Sequence, residues 1–162
     1  MNKSGSLPDL IFVAVILLVF SITVLIVFKV SNEINTKIQT QDGLDTKGKV
    51  AFDQVNDIYS GTLDNMFLFL AVGLSIGALI LAASVRVHPI FFILFLIALF
   101  LLIFLSGIFS NIYLGIANNA EMQDVAEKLT FTTKLMGILP FFIGIMGFLL
   151  AIVMYKNWRE EN

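Results

Sequence analysis

The side chains that ordinarily do chemistry are scarce in this chain, and their placement restricts what they can do. His88 is the only histidine, and cysteine is absent. A multi-histidine or thiolate metal site therefore cannot be assembled, and disulfides and iron–sulfur clusters are excluded. Ser21, Ser75, Ser106 and Ser110 sit in apolar stretches that contain neither a histidine nor an acid. None of them has the base and orienting carboxylate of a hydrolytic triad. Charges inside a bilayer are costly and mark proton relays or ion routes. Here Asp9, Lys29, Asp64, Arg86, Lys134 and Lys156 only flank the apolar stretches, where long side chains reach water. An ion-coupled pump is disfavoured, and no selectivity-filter pattern is present. The sequence offers no catalytic, cofactor-binding or metal-ligating residue, so no enzyme activity and no cofactor are expected.

The stretches that hold these serines set the architecture. Of 162 residues, 58% are hydrophobic and 14% charged, against about 45–50% and about 25% in an ordinary globular domain. Leu10 to Phe28, Met66 to Val85, Pro89 to Phe109 and Leu135 to Tyr155 contain no Asp, Glu, Lys, Arg or His. About 20 apolar residues at 1.5 Å rise cross a hydrocarbon core roughly 30 Å thick. The expectation is an all-α integral membrane protein, one membrane domain over 1–162. It is a four-transmembrane-helix antiparallel bundle, with spans near 9–30, 64–86, 89–113 and 135–156. The first run exceeds the usual h-region of about 7–15 residues and no small-x-small pattern follows it, so it reads as a retained signal anchor. The formal charge of −2 gives no basic patch for nucleic acid. Four spans place both termini and the Arg86–His88 turn on one side. That side carries four Lys and Arg against six on the other, but over much less chain and including both arginines. The cation density puts the termini in the cytoplasm.

Between the spans, two short amphipathic helices are expected on one side of the membrane, near 46–60 and 120–133. Val27, Val30, Ile34 and Ile38 continue a helical stripe past Lys29, so helix one is expected to run on toward Gln39. Thr40 to Lys49 reads as a turn or link. Phe52, Val55, Ile58 and Tyr59 then recur at helical spacing, and Ser60-Gly61-Thr62 is expected to end that helix, with Thr62 or Asp64 capping helix two. Gly115 to Asn119 reads as a break. Met122, Val125, Ala126 and Leu129 form the second apolar stripe, with Asn118 or Asn119 as its cap. Lipid, each other or a partner must cover these two stripes. Pro89 fits the first turn of helix three, and Pro140 reads as a kink or a first-turn residue of helix four.

Gly73-Leu-Ser-Ile-Gly77 is a GxxxG pattern, extended by Ala78 and Ala82. Such patterns let helix backbones approach closely, and packing inside the monomer is favoured here over self-association. Gly137, Gly144 and Gly147 suggest a similar part in helix four. The sixteen Phe residues read as bundle filling or lipid contact. Tyr59, Tyr113, Tyr155 and Trp158 sit near span ends as interface anchors. His88 reads as a polar residue of the hairpin turn, and Asn111 as a structural amide that closes helix three.

Thr62-Leu-Asp-Asn-Met-Phe-Leu-Phe69 through Gly73-Leu, His88-Pro-Ile-Phe-Phe92, Gly107-Ile-Phe-Ser-Asn-Ile-Tyr113 and Leu139-Pro140 together resemble a group of small four-span proteins. These occur in tailless bacteriophages with an internal membrane and double-jelly-roll capsids. The likeness covers most of the chain and rests on structural motifs, so it transfers no functional residue. It implies a virion membrane component, in the internal membrane or the host inner membrane. Such a component would contact the lipid bilayer and capsid proteins, other membrane proteins or its own copies. A holin-like lysis protein and an accessory subunit of a cellular membrane complex are the competing expectations.

Overall fold

The computed structural model describes residues 7–41, 43, 45–84 and 89–159, and every regular element among them is a helix. In chain order these are α1 (Leu7–Thr40), α2 (Thr46–Ser84), α3 (Pro89–Ala117), α4 (Gln123–Lys128), α5 (Thr130–Gly137) and α6 (Leu139–Arg159). Four of them, α1, α2, α3 and α6, are long and apolar enough to cross a membrane. Helices suit that setting because they satisfy every backbone N–H and C=O within one segment. α1 packs on α2 and α3, and α6 packs on α3 and α2, while α4 and α5 bridge the ends of the long helices.

The long helices are unequal. α1 has 34 residues, α2 39, α3 29 and α6 21. At 1.5 Å per residue, α1 and α2 reach about 50 and about 58 Å, well past a hydrocarbon core of about 30 Å. The surplus is a helical hairpin that projects from the apolar part.

Segment 46–60 is therefore not a separate surface helix; it forms the first turns of α2. The expected break at Ser60-Gly61-Thr62 does not occur, and neither Thr62 nor Asp64 caps α2. The Ser60 hydroxyl donates to Asp57 O at 2.8 Å and the Thr62 hydroxyl to Ile58 O at 2.8 Å, so both are absorbed by their own helix. One interior glycine costs a helix only about 0.5–1 kcal/mol, and contacts with α1 on both sides of it outweigh that. Segment 120–133 also differs from the expectation, since it is shared between α4 and the start of α5. The fourth span begins at Leu139 rather than near 135. Pro140 lies in the first turn of α6, where it needs no N–H; it could not sit one turn into a continuous α5–α6 helix without losing a hydrogen bond to residue 136. α3 likewise runs past Asn111 to Ala117, so Asn111 does not close it.

The core passes between the long helices. Leu17, Leu25 and Phe28 of α1, Phe67 and Ala71 of α2, Phe95, Leu102 and Tyr113 of α3, and Ile143 and Leu150 of α6 are buried. Phe20 stacks on Phe67 with ring centroids 6.1 Å apart, and Phe67 meets Phe131 of α5 at 6.4 Å.

Candidate functional site

Two polar arrangements and one apolar face stand out from this apolar framework. The first arrangement joins α1 to α2 in the projecting hairpin. Asn35 Nδ2 donates to Asp53 Oδ1 at 3.0 Å, the Ser31 hydroxyl to Asn56 Oδ1 at 3.0 Å, and Asn56 Nδ2 to Asn32 Oδ1 at 3.2 Å. Gln39 and Lys49 exchange two bonds, each side chain donating to the other's backbone carbonyl at 2.7 and 2.9 Å. The residue numbers of each pair sum to 87 or 88, as an antiparallel helical hairpin requires. Asn32, Asn35 and Gln39 share one face of α1, and the same face continues toward the chain start as Phe28, Leu25 and Leu17. The helix contact thus changes from apolar to polar without changing face.

The second arrangement centres on Asp64. Its carboxylate accepts Phe131 N at 2.8 Å, Thr132 N at 2.7 Å and the Thr132 hydroxyl at 2.7 Å. Leu129, the residue preceding α5, makes no side-chain cap, so a carboxylate from α2 does what a local Ser or Asp would do at a helix start. The positive end of α5 favours an anion there. Beside it, the Thr133 hydroxyl donates to Ala126 O at 2.9 Å and so accepts from Tyr113 Oη at 3.1 Å. The Lys128 ammonium lies 5.9 Å from the centre of the Phe28 ring. Asp64, Tyr113 and this threonine pair tie α2, α3, α4 and α5 together at one level.

Comparison with protein families, curated proteins and solved structures finds no match to this chain. The residues themselves must carry the reading.

The two apolar stripes expected from the sequence part company. Val125 and Leu129 are buried and Met122 is half-buried; with Ala126 they face α1, α3 and α5 and belong to the core. Phe52, Val55, Ile58 and Tyr59 are all exposed, Ile58 at 69% and Val55 at 61%. Ile58 lies opposite the polar contact with α1, and Phe52, Val55 and Tyr59 lie to one side of it, so this hairpin is polar inside and carries an apolar stripe outside, beside exposed Gln54 and Asp57. The glycines divide in the same way. A side chain at Gly147 would collide with Leu99, and one at Gly144 would touch Ile103 at 3.7 Å, so these two mark the α3–α6 contact. Nothing lies within 4 Å of a Cβ at Gly73 or Gly77; that pattern does not mediate packing inside the chain. Asn111 is exposed on α3. His88 lies outside the described residues, as does the side chain of Trp158. Asn119, one of the two proposed caps, turns its side chain onto Glu121 N at 3.2 Å before α4 begins.

The serine hydroxyls in the apolar helices are committed to main-chain carbonyls. Ser21 donates to Leu18 O, Ser75 to Ala71 O and Ser106 to Ile103 O, all at 2.7–2.8 Å, and Ser110 to Gly137 O at 3.4 Å. Among the described residues, no three His, Cys, Asp or Glu side chains gather as metal ligands would.

Sequence reasoning gave Asp64 to the start of helix two, where it instead caps α5, and missed the polar contact. A helix start beginning Leu-Thr-Phe with no local cap signals a missing acceptor, which an acid at a span end can supply. The amides of α1 at i, i+3 and i+7 signal a polar face.

Proposed function

We propose that this chain is a non-enzymatic structural membrane protein, a component of a phage internal membrane. Its four long helices span the bilayer as an antiparallel bundle with both termini on the cytoplasmic side, and the α1–α2 hairpin projects from the opposite side. The observation that carries the reading is this hairpin. Its interior is fixed by paired amides and the Asp53 carboxylate, its base is pinned to α5 through Asp64, and its outer surface carries an apolar stripe of Phe52, Val55, Ile58 and Tyr59 among exposed polar residues. Such a device holds a sticky surface at a set height above a bilayer, which is the task of a protein that joins a membrane to capsid proteins or to its own copies. The serines and the carboxylate engaged in fixed structural bonds fit the same role. The resemblance to small four-span phage proteins supports the virion assignment.

Mass spectrometry of purified, membrane-containing virions tests this directly, and the protein is expected in the lipid-bearing particle. A specific feature, the open glycine face of α2, favours a holin-like pore as the second reading. Reconstitution in liposomes separates the two. A structural protein leaves ion and proton gradients intact at low protein-to-lipid ratio, and rapid dissipation there would transfer the assignment to the pore.

A further inference from the structure

The outer face of α2 carries a repeat that lipid alone does not require. Val55, Thr62, Phe69 and Ile76 recur every seven residues, and all four are exposed, Phe69 at 77%. Tyr59, Met66 and Gly73 fall between them and are exposed too. The spacing alternates four and three residues without interruption and without a charge. A sustained 3.5-residue period on one helix is the seam of a left-handed coiled coil.

The seam also runs where hydrocarbon does not. By the pairing of Ser31 and Asn32 with Asn56, Val55 and Tyr59 stand level with Lys29 and Glu33 of α1. Those two form an ion pair at 3.4 Å, Lys29 half-buried and Glu33 exposed, a level that belongs to water. α2 is one continuous helix, so its first turns cannot fold down onto the bilayer while the rest crosses it. Lipid can cover Phe69 and Ile76 but leaves Val55 and Tyr59 wet. One occupant that covers both parts is a helix that crosses the same membrane and projects equally far beyond it.

We infer that α2 pairs in parallel with α2 of a second copy of this chain, along the seam from Phe52 to Ile76. A second copy inserts with the same orientation and projects to the same height. Parallel, in-register pairing sets each uncharged seam position against itself, so no like charges meet. The three acids of this part of α2 lie off the seam: Asp53 bonds Asn35, Asp64 caps α5, and Asp57 is exposed on another face. Gly73, with nothing within 4 Å of its Cβ position, lets the two backbones draw close inside the bilayer. At roughly 200 Å² for a whole side chain of this size, the exposed fractions along the seam amount to about 700 Å² per copy. That is near the roughly 800 Å² per partner of a standard stable interface. The inference rests on the reading of α2 as a membrane span.

The absence of cysteine makes the test direct. Single cysteines are placed on the full-length chain at Val55, Thr62, Phe69 and Ile76, and off the seam at Gln54, Asp57 and Gly61, which are exposed on other faces. Membranes containing each variant are oxidised with copper phenanthroline. Disulfide-linked dimer at the four seam positions, at least about fivefold above the off-seam ones, is the expected result. Crosslinks without the seven-residue period, crosslinks absent at Val55 and Thr62, or adducts only to a protein of another mass would each overturn it. The paired variant Val55→Glu with Tyr59→Glu supplies a second reading: its dimer fraction in detergent, by sedimentation, should fall at least tenfold with unchanged helical circular dichroism. A dimer fraction that holds would refute the pairing. Carbonate extraction of the same membranes separates the two claims. Protein that washes off contradicts the span itself, whereas protein that stays but does not crosslink contradicts only the pairing.

Discussion

Asp64 is the side chain whose removal should tell most about how this fold is held. Its carboxylate accepts two backbone amides and one hydroxyl at 2.7–2.8 Å, and Thr132, which supplies two of the three donors, is fully buried. Asp64→Ala leaves those donors with no acceptor and no access to water. An orphaned buried donor costs about 1–3 kcal/mol, and loss of a helix N-cap costs about 0.5–2 kcal/mol. These overlap, because the cap bonds are the same bonds, so about 2–4 kcal/mol is expected in total. Asp64→Asn keeps one oxygen but points an amide N–H₂ at a donor, and about 1–2 kcal/mol is expected. The assay is amide exchange in detergent micelles followed by mass spectrometry. Every 1.4 kcal/mol is a factor of ten, so peptides covering residues 130–137 should exchange about 30- to 1000-fold faster in Asp64→Ala, with α6 little changed. If Ala and Asn variants both exchange like the parent, the carboxylate does not cap α5 and the account of this joint fails. If acceleration spreads evenly over all helices, the residue supports global stability rather than the start of α5.

Four further substitutions follow from the packing. Asn56→Ala removes a buried side chain that bonds both Ser31 and Asn32, and should cost about 1–3 kcal/mol, seen as faster exchange confined to residues 29–60. Gly147→Ala sets a methyl against Leu99 and should lower the thermal midpoint, by about 1–3 kcal/mol if Leu99 cannot turn away. Gly77→Ala meets nothing within the chain and should be neutral or stabilising by up to about 1 kcal/mol; a matching loss there would restore the glycine pattern as an internal contact. Tyr113→Phe deletes one hydrogen bond to Thr133 and should cost about 0.5–1.5 kcal/mol by thermal unfolding.

The four long helices were legible because a run free of charges for about 20 residues has few alternatives. Their ends were less so. Ser60-Gly61-Thr62 looks like a break by local chemistry, yet hydroxyls in a helix can bond back to the preceding turn, and here they do. Whether they cap a helix or continue one depends on what packs alongside, and the partner, α1, joins α2 through residues as far apart in the chain as Ser31 and Asn56, a separation of 25 residues. The opposite error occurred at Leu135, where hydropathy ran through a point that Pro140 forces apart. Of the site, Phe52, Val55, Ile58 and Tyr59 recur at helical spacing and are exposed. The stripe on Val125 and Leu129 has the same pattern and is core. Periodicity shows that a helix has an apolar side but not what that side meets.

The polar interior of the projecting hairpin follows from where it stands. Within a bilayer, two helices gain little from apolar contact, because lipid is equally apolar, and packing and hydrogen bonds decide association. Beyond the bilayer the hydrophobic effect would ordinarily draw Val55 and Ile58 inward and turn Asn56 out. Here the faces are reversed in the aqueous part, because α2 enters the membrane without a bend and the side it turns to α1 below fixes the side it turns to α1 above. That side carries Asn56 and Asp53, so α1 must answer with Ser31, Asn32 and Asn35, and it does. The apolar residues are then left outside by geometry. Five cross-helix bonds of about 0.5–1.5 kcal/mol each can hold such a hairpin, with Asp64 anchoring its base. They do nothing to shield the outer face. An apolar stripe in water is the cost of that reversal, and the proposed pairing of α2 with a second copy would cover it.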